Sequence, residues 1–301
     1  FKRGIARLQK LGHEVDIDPA ALTSYERFAG DDATRLQGIA RAAASGADLT
    51  LISRGGYGLT RLLGQINYKQ VAKSIEQGTH WMGFSDFTAF QAALTATMGS
   101  DASTLSGAAL IADFGVDTTN RPSGEPDEIM AACFDDVLLG QNEGAGWTLP
   151  KLKAEATLRE QYAAKPLSIR ATALWGGNLS VLTSLVGTPY LPEVEGGVLW
   201  FEDTGETPFR IERMLTQWFN AGILAKQKAI VLGQFTESKL YPHDKGFNMQ
   251  TVATWLRSQL KIPVLAGLPF GHVPTKVMLP FGAPVRLLCD GSDALLLWDE
   301  L

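Results

Sequence analysis

The chain has 301 residues, of which 45% are hydrophobic and 20% charged, close to the averages for a soluble globular protein and enough for two ordinary domains or one large one. That composition excludes a disordered, collagen-like or coiled-coil chain. Lys+Arg 27 against Asp+Glu 32 leaves a net charge of −5, so no basic field exists to attract nucleic acid or anionic lipid.

Phe1–Leu8 reads as the middle of an amphipathic helix, so more chain is expected upstream. Asp31 and Asp32 can cap a helix through Ala44, with Leu36, Ile39 and Ala43 on one face and Gly46 as its stop. Leu49–Ser53 then reads as a buried strand, followed by the turn Arg54-Gly55-Gly56-Tyr57-Gly58 and a new helix. A second cycle runs through a helix at Lys69–Gln77, a strand at His80–Phe84 and a helix at Asp86–Met98. Strands alternating with helices of this length predict βαβ units and a parallel sheet. Asn120–Pro126 reads as a loop and Asp127–Leu139 as a helix, whereas Gly140–Lys165 holds no sustained period and suits a connection between domains.

A second alternating section begins at Ser168. It reads as strand Ile169–Leu174, turn Gly176-Gly177-Asn178, strand Gly197–Phe201, helix Pro208–Ala221, strand Ala229–Leu232 and helix Met249–Leu260. Two strands, Pro284–Leu288 and Ala294–Trp298, close the chain. The division is therefore 1–150 for an N-terminal α/β domain, 151–167 for a linker and 168–301 for a C-terminal β/α domain. The uncharged run Ala171–Pro192 has the length of a membrane span, but its glycines and Pro189 break it into shorter pieces. Cys133 and Cys289 are too few for a disulfide framework and have no C-x-x-C spacing for zinc. A reducing, cytoplasmic setting is expected.

The turn at 54–58 is not a nucleotide loop. Arg61 stands where a dinucleotide fingerprint needs its third glycine, and no G-x-x-x-x-G-K-[ST] occurs. Alone it reads as a tight strand-to-helix connection, with the property that small residues leave N–H groups exposed where negative charge is stabilised. Gly83-Phe84-Ser85-Asp86-Phe87-Thr88 is sharper: an apolar strand ends, one serine follows and a helix begins. A nucleophile elbow needs that placement, because the tight turn presents Oγ at the carboxyl edge of the sheet. Only half of G-x-S-x-G is met, and on this segment alone a Ser or Asp N-cap is the plainer reading.

A serine nucleophile requires a base. His13 lies beside an expected strand near the start, and His80 sits at the far end of the serine's own strand. His272 follows the apolar run Pro263–Leu268 and is the best candidate, with His243, in Tyr241-Pro242-His243-Asp244, as runner-up. An orienting acid is offered by Val198–Asp203, an apolar strand ending in Glu202 and Asp203. If that strand continues through the pair, the two carboxylates point to opposite faces. The order Ser…Glu…His is that of α/β-hydrolases.

Together these segments resemble the LD-carboxypeptidases, serine peptidases of the murein tetrapeptide carboxypeptidase type. The resemblance is carried by Ser53–Gly58 with Arg61-Leu62-Leu63, by Gly83–Thr88, and by Gly176-Gly177-Asn178-Leu179-Ser180. It continues in Gly187-Thr188-Pro189-Tyr190, Phe201-Glu202-Asp203 with Ile211-Glu212-Arg213, Val231–Phe235 and Gly271-His272. It implies a flavodoxin-like parallel-sheet domain, a smaller β/α domain, and an active site in the cleft between them. It further implies a Ser85–Glu202–His272 triad, an oxyanion hole from the N–H groups of Asp86 and Gly56, and substrate contacts from Arg54, Gly55 and Asn178. No metal or other cofactor is implied. The expected partner is a small muropeptide, with D-alanine removed from a cell-wall tetrapeptide, and a homodimer is among the expectations. The family's opening strand and small-residue turn are not in the chain, and Phe84 stands where tyrosine is common. Two alternatives remain: a microcin-immunity peptidase cleaving a peptidyl-nucleotide antibiotic, with Trp147 as aromatic platform, and a non-catalytic peptide binder.

Overall fold

A computed structural model describes residues 1–115 and 126–298. The first part opens with helices α1 (Lys2–Lys10) and α2 (Asp32–Ala44), the latter capped by Asp31, whose side chain accepts from Thr34 N at 2.8 Å. Strand β1 (Leu49–Leu51), helix α3 (Tyr68–Glu76), strand β2 (His80–Gly83), helix α4 (Phe87–Met98) and strand β3 (Thr104–Ser106) follow. β1, β2 and β3 are parallel neighbours, as the alternation predicts, and β10 (Leu279–Phe281) joins β3 antiparallel from far along the chain.

A π-helical turn, Leu110–Gly115, leaves β3, and helix α5 spans Glu128–Leu138. The expected loop at 120–126 lies, except for Pro126, outside the described residues. The stretch with no sequence period is not an irregular connection: it forms strand β4 (Gly144–Thr148) and helix α6 (Lys153–Ala164), which occupies most of the expected linker. β4 enters an antiparallel sheet of order β4-β12-β11-β5, built with β5 (Leu167–Ala171), β11 (Val285–Asp290) and β12 (Asp293–Leu297). His13–Ile17 is not a strand.

The remaining sheet is wholly parallel, in the order β6 (Leu174–Asn178), β7 (Val198–Thr204), β8 (Ala229–Thr236), β9 (Val264–Ala266). Helices α7 (Leu179–Leu185), α8 (Pro208–Asn220) and α9 (Met249–Gln259) accompany it. Val198–Phe201 is 0% exposed throughout, the apolar run expected of a parallel strand covered on both faces. Gly176 and Gly177 are not a turn but the middle of β6. They are small for proximity: a Cβ on Gly176 would stand 2.0 Å from Trp200 O, and one on Gly177 2.6 Å from Thr88 Oγ1.

That second contact positions the site, because Thr88 belongs to α4 of the first part. α4 is buried from Phe87 through Thr95, a helix covered all round whose few polar side chains, Thr88 and Gln91 among them, are buried with it. It packs on β6 and α7, and Asn178 N donates to Thr88 Oγ1 at 3.2 Å. The carboxyl ends of two parallel sheets thereby meet beside the first turn of α4. Among the described residues no helix is long and apolar enough to cross a membrane, and Cys133 and Cys289 are both free.

Candidate active site

Ser85 follows β2 and precedes α4 with φ 62°, a left-handed conformation, while Asp86 returns at once to φ −56°. Such a backbone costs on the order of 1–3 kcal/mol for a residue with a side chain, and persists where the surroundings enforce it. Here α4 sits immediately behind: a Cβ on Gly83 would fall 2.7 Å from the Phe87 ring. In front lies the glycine turn, where a Cβ on Gly55 would stand 2.8 Å from Ser85 Cβ and 3.1 Å from its Oγ. Only a residue without a side chain fits at 55.

The glycine turn is anchored to the elbow. Leu59 N donates to Asp86 Oδ2 at 2.9 Å, and Arg35 donates to Gly58 O at 3.1 Å. The chain after the turn forms short 3-10 turns at Leu59–Arg61 and Leu63–Gln65 before α3 begins, rather than the immediate helix predicted. Burial pushes the Asp86 carboxyl up, opposed by the Leu59 bond and by the charge of Arg35. The N–H groups of Gly56 and Asp86 donate to no acceptor among the described residues. Arg54 is exposed and makes no ion pair among the described residues; its Nε and one terminal nitrogen lie 3.9 Å from the place of a Cβ on Gly56.

His272 reaches Ser85 from the other half of the chain. Its Nε2 is 3.1 Å from Ser85 Oγ and its Nδ1 is 2.8 Å from Glu202 Oε2. The histidine side chain is 25% exposed and the glutamate 0%, so the carboxylate works in a dry place where its charge is little screened. Burial alone would hold the imidazole pKa down; the hydrogen bond and charge of Glu202 outweigh it, and the net shift is upward from 6.5. Gly271, at φ 143°, lets the loop pass: a Cβ there would be 2.9 Å from Gln234 O and 3.3 Å from Glu202 Cβ.

β7 does continue through Glu202 and Asp203, with a register shift against β8 between Phe201 and Asp203. The two carboxylates diverge accordingly. Asp203 turns away from His272 to Ser180, accepting from its N at 2.9 Å and its Oγ at 2.7 Å. Asn178, paired in register with Glu202, bridges them: its Nδ2 donates to Glu202 Oε1 and to Asp203 Oδ1, both at 3.1 Å, while its Oδ1 accepts from Val181 N at 3.0 Å. Asn178 is 5% exposed, and its NH2 group holds the two acids. Both Nδ2 protons are thus committed to the two acids, while Oδ1 accepts a single bond.

The other candidates lie elsewhere. His243 has a side chain 78% exposed and stacks on Tyr241 in its own loop. Trp147 is buried in β4 with its N–H donated to Ala266 O at 3.1 Å, so it offers no exposed platform. Among the described residues no cluster of His, Cys, Asp or Glu is arranged to hold a metal ion. Sequence reasoning passed over Thr88, the bridging role of Asn178, and a buried Lys276–Asp113 pair next to the histidine loop. The last left a signal: Lys276 is the one formal charge between Lys261 and Arg286.

A strained serine at a sheet edge, joined through imidazole to a buried carboxylate, is the arrangement with which hydrolases activate a hydroxyl. Comparison with known proteins narrows the class. The LD-carboxypeptidase N-terminal domain matches residues 1–107 and the C-terminal domain of the same family matches 171–287. The crystal structure of muramoyltetrapeptide carboxypeptidase from Oxalobacter formigenes superposes with a TM-score of 0.83 at 35% identity, covering 100% of this chain and 95% of that one. A Bacillus subtilis protein named "Probable murein peptide carboxypeptidase" is 26% identical over 93% of this chain and 81% of its own length. The microcin C7 self-immunity protein of Escherichia coli is 27% identical over 70% of this chain and 63% of its own. The chain belongs to the LD-carboxypeptidase family. It is a hydrolase of the carboxypeptidase class.

Proposed function

We propose that this protein hydrolyses the amide bond before a C-terminal D-amino acid, D-alanine of a murein tetrapeptide above all, by a serine mechanism. The observation that carries the reading is the continuous hydrogen-bonded chain from Ser85 Oγ through His272 to Glu202. His272 Nε2 takes the hydroxyl proton as Oγ attacks the scissile carbonyl, and Glu202 holds the ring by Nδ1 and stabilises the imidazolium. The tetrahedral oxyanion lies against the N–H groups of Asp86 and Gly56, each donor being worth about 3 kcal/mol of barrier. His272 then gives its proton to the departing amine of D-alanine. Water, deprotonated by the same imidazole, attacks the acyl-enzyme and frees Ser85. Every proton moves through one ring.

Restriction to a chain end follows from Arg54, a guanidinium beside Gly56 with no ion pair among the described residues and a good bidentate partner for the free carboxylate of the leaving residue. The 35% identity to a muramoyltetrapeptide carboxypeptidase supports the tetrapeptide substrate, and with it a role in recycling cell-wall peptides. Two free thiols suit a reducing compartment, and we assign the reaction to the cytoplasm. A peptidyl-nucleotide substrate has less behind it, because Trp147 is buried. The test is incubation of the protein with three muropeptides, ending in D-Ala, in L-Ala and in D-Ala amide, followed by mass spectrometry. Loss of one alanine from the first alone is expected. An intact D-Ala peptide, or equal cleavage of the amide, contradicts the reading.

A further inference from the structure

Lys276 is 3% exposed, and few lysines are buried without a task. Its ammonium pairs with Asp113, whose side chain is equally buried, and lies 4.5 Å from the centroid of the Phe84 ring. Phe84 has His272 as a further neighbour, ring centroids 5.0 Å apart, so the lysine and the histidine both pack on the residue that precedes Ser85. Asp113 is itself fixed. Its second oxygen accepts from Ala109 N at 2.8 Å, and its turn donates Leu110 N to Ile52 O at 3.0 Å and Ile111 N to Ser53 O at 2.8 Å, at the root of the glycine turn. Beside the lysine, Thr275 Oγ1 donates to Asp127 Oδ2 at 2.8 Å, at the start of α5.

Replacing a buried ion pair by apolar side chains of similar volume is often neutral or stabilising, so this pair is poorly explained as a source of stability. Its geometry suits another purpose. The histidine loop runs from β9 of the second sheet to β10, which pairs with β3 of the first, and the partners of Thr275 and Lys276 belong to segments that pack with that first sheet. We propose that Lys276 is a positioning residue: paired with Asp113 and packed on Phe84, it locks the His272 loop to the segment that carries the glycine turn and the serine elbow. The proposal rests on the serine mechanism above. It has an electrostatic side as well. The charged groups around His272 are Glu202 and Asp203 from β7 and Lys276 from its own loop, with Asp113 behind the lysine and Asp86 beside Ser85. Burial holds the imidazole pKa down, Glu202 pushes it up past its ordinary value, and Lys276 is a cation acting against the carboxylates.

The experiment compares Lys276→Met, Lys276→Arg and the double variant Asp113→Asn/Lys276→Met. It reads kcat and KM on a D-Ala-terminated tetrapeptide, and the rate at which a fluorophosphonate labels Ser85 as a function of pH. In Lys276→Met, kcat should fall about tenfold or more with KM changed by less than about twofold, because the base rather than substrate binding is displaced. Its acid limb should move up by roughly half a pH unit through loss of the cation. Lys276→Arg keeps charge and pairing and should stay within about threefold of wild type. The double variant leaves no lone buried charge, so it should fold; it should keep the loss in kcat while its acid limb returns toward wild type. Normal kcat in a folded Lys276→Met or double variant, or an unmoved acid limb in a folded Lys276→Met, overturns the proposal. Labelling separates this outcome from failure of the substrate reading. A wild type that labels but cleaves no tetrapeptide contradicts the substrate alone, and the labelling rates of the variants still decide the role of Lys276.

Discussion

Ser85 and His272 end 3.1 Å apart, but they are held there differently. The serine is placed by its immediate neighbours: the strand before it, the helix after it and the glycine turn in front, all within one βαβ stretch. The histidine sits on an irregular loop between β9 and β10, fixed by groups remote in sequence: Glu202, Asp113 and Asp127. The proposed nucleophile, half-buried and strained, is thus held by a local device that forms with its own secondary structure. The proposed base, on the loop that joins the two sheets, is aligned only where both are in place.

That contrast orders the variants. Ser85→Ala should abolish turnover, since single knockouts of residues acting as one unit cost on the order of 10⁴–10⁶ in rate. Mass spectrometry of D-Ala release checks this, and a tenth of wild-type activity in the variant would rule out the elbow serine as nucleophile. Glu202→Gln should come next, with kcat down by about 10²–10⁴, because an amide cannot stabilise the imidazolium and can hold the wrong tautomer. Asp203→Asn should lose less in kcat and more in thermal stability, since Asp203 accepts from Ser180 and Asn178 and not from His272. Melting curves beside kcat/KM separate the two effects; the reverse ranking in kcat would move the orienting role to Asp203.

The smallest effect is in pH. The folded pKa of His272 is raised, so folding favours the imidazolium. The stability this contributes is fully present below the unfolded value near 6.5 and is lost as pH rises through the folded value. Activity has the opposite sense, because the base must be neutral. The acid limb of kcat/KM should therefore fall above pH 6.5, and in Glu202→Gln it should move down. An acid limb unchanged by that substitution would detach the titration from His272.

The same contrast decides what could be read in advance. The Ser85 elbow is a change of period, from strand to helix across one residue, and such a signal is local. Glu202 was visible as a carboxylate closing an apolar strand, and His272 as the histidine after an apolar run. β4 was not visible: Gly144 and Gly146 erase its alternation, and its partner β12 lies at the far end of the chain. The glycines of β6 looked like a turn because their cause, the approach of Trp200 and Thr88, lies in other elements. The bridge from Asn178 to Glu202 could not be read in advance, because their register exists only in the assembled sheet. Asp113 and Lys276 each stand as an isolated charge in an apolar run, and only the fold brings them together.

The proposal that the elbow serine and a histidine on the loop joining the two sheets act as a single unit is tested most directly by a double-mutant cycle. kcat/KM for D-Ala release is measured for Ser85→Ala, His272→Ala and the pair, with His243→Ala as an outside control. If the two residues share one proton transfer, the double variant is no worse than either single one within about tenfold, and His243→Ala stays within about twofold of wild type. Losses that multiply in the double variant, or a His243→Ala enzyme as impaired as His272→Ala, would contradict it.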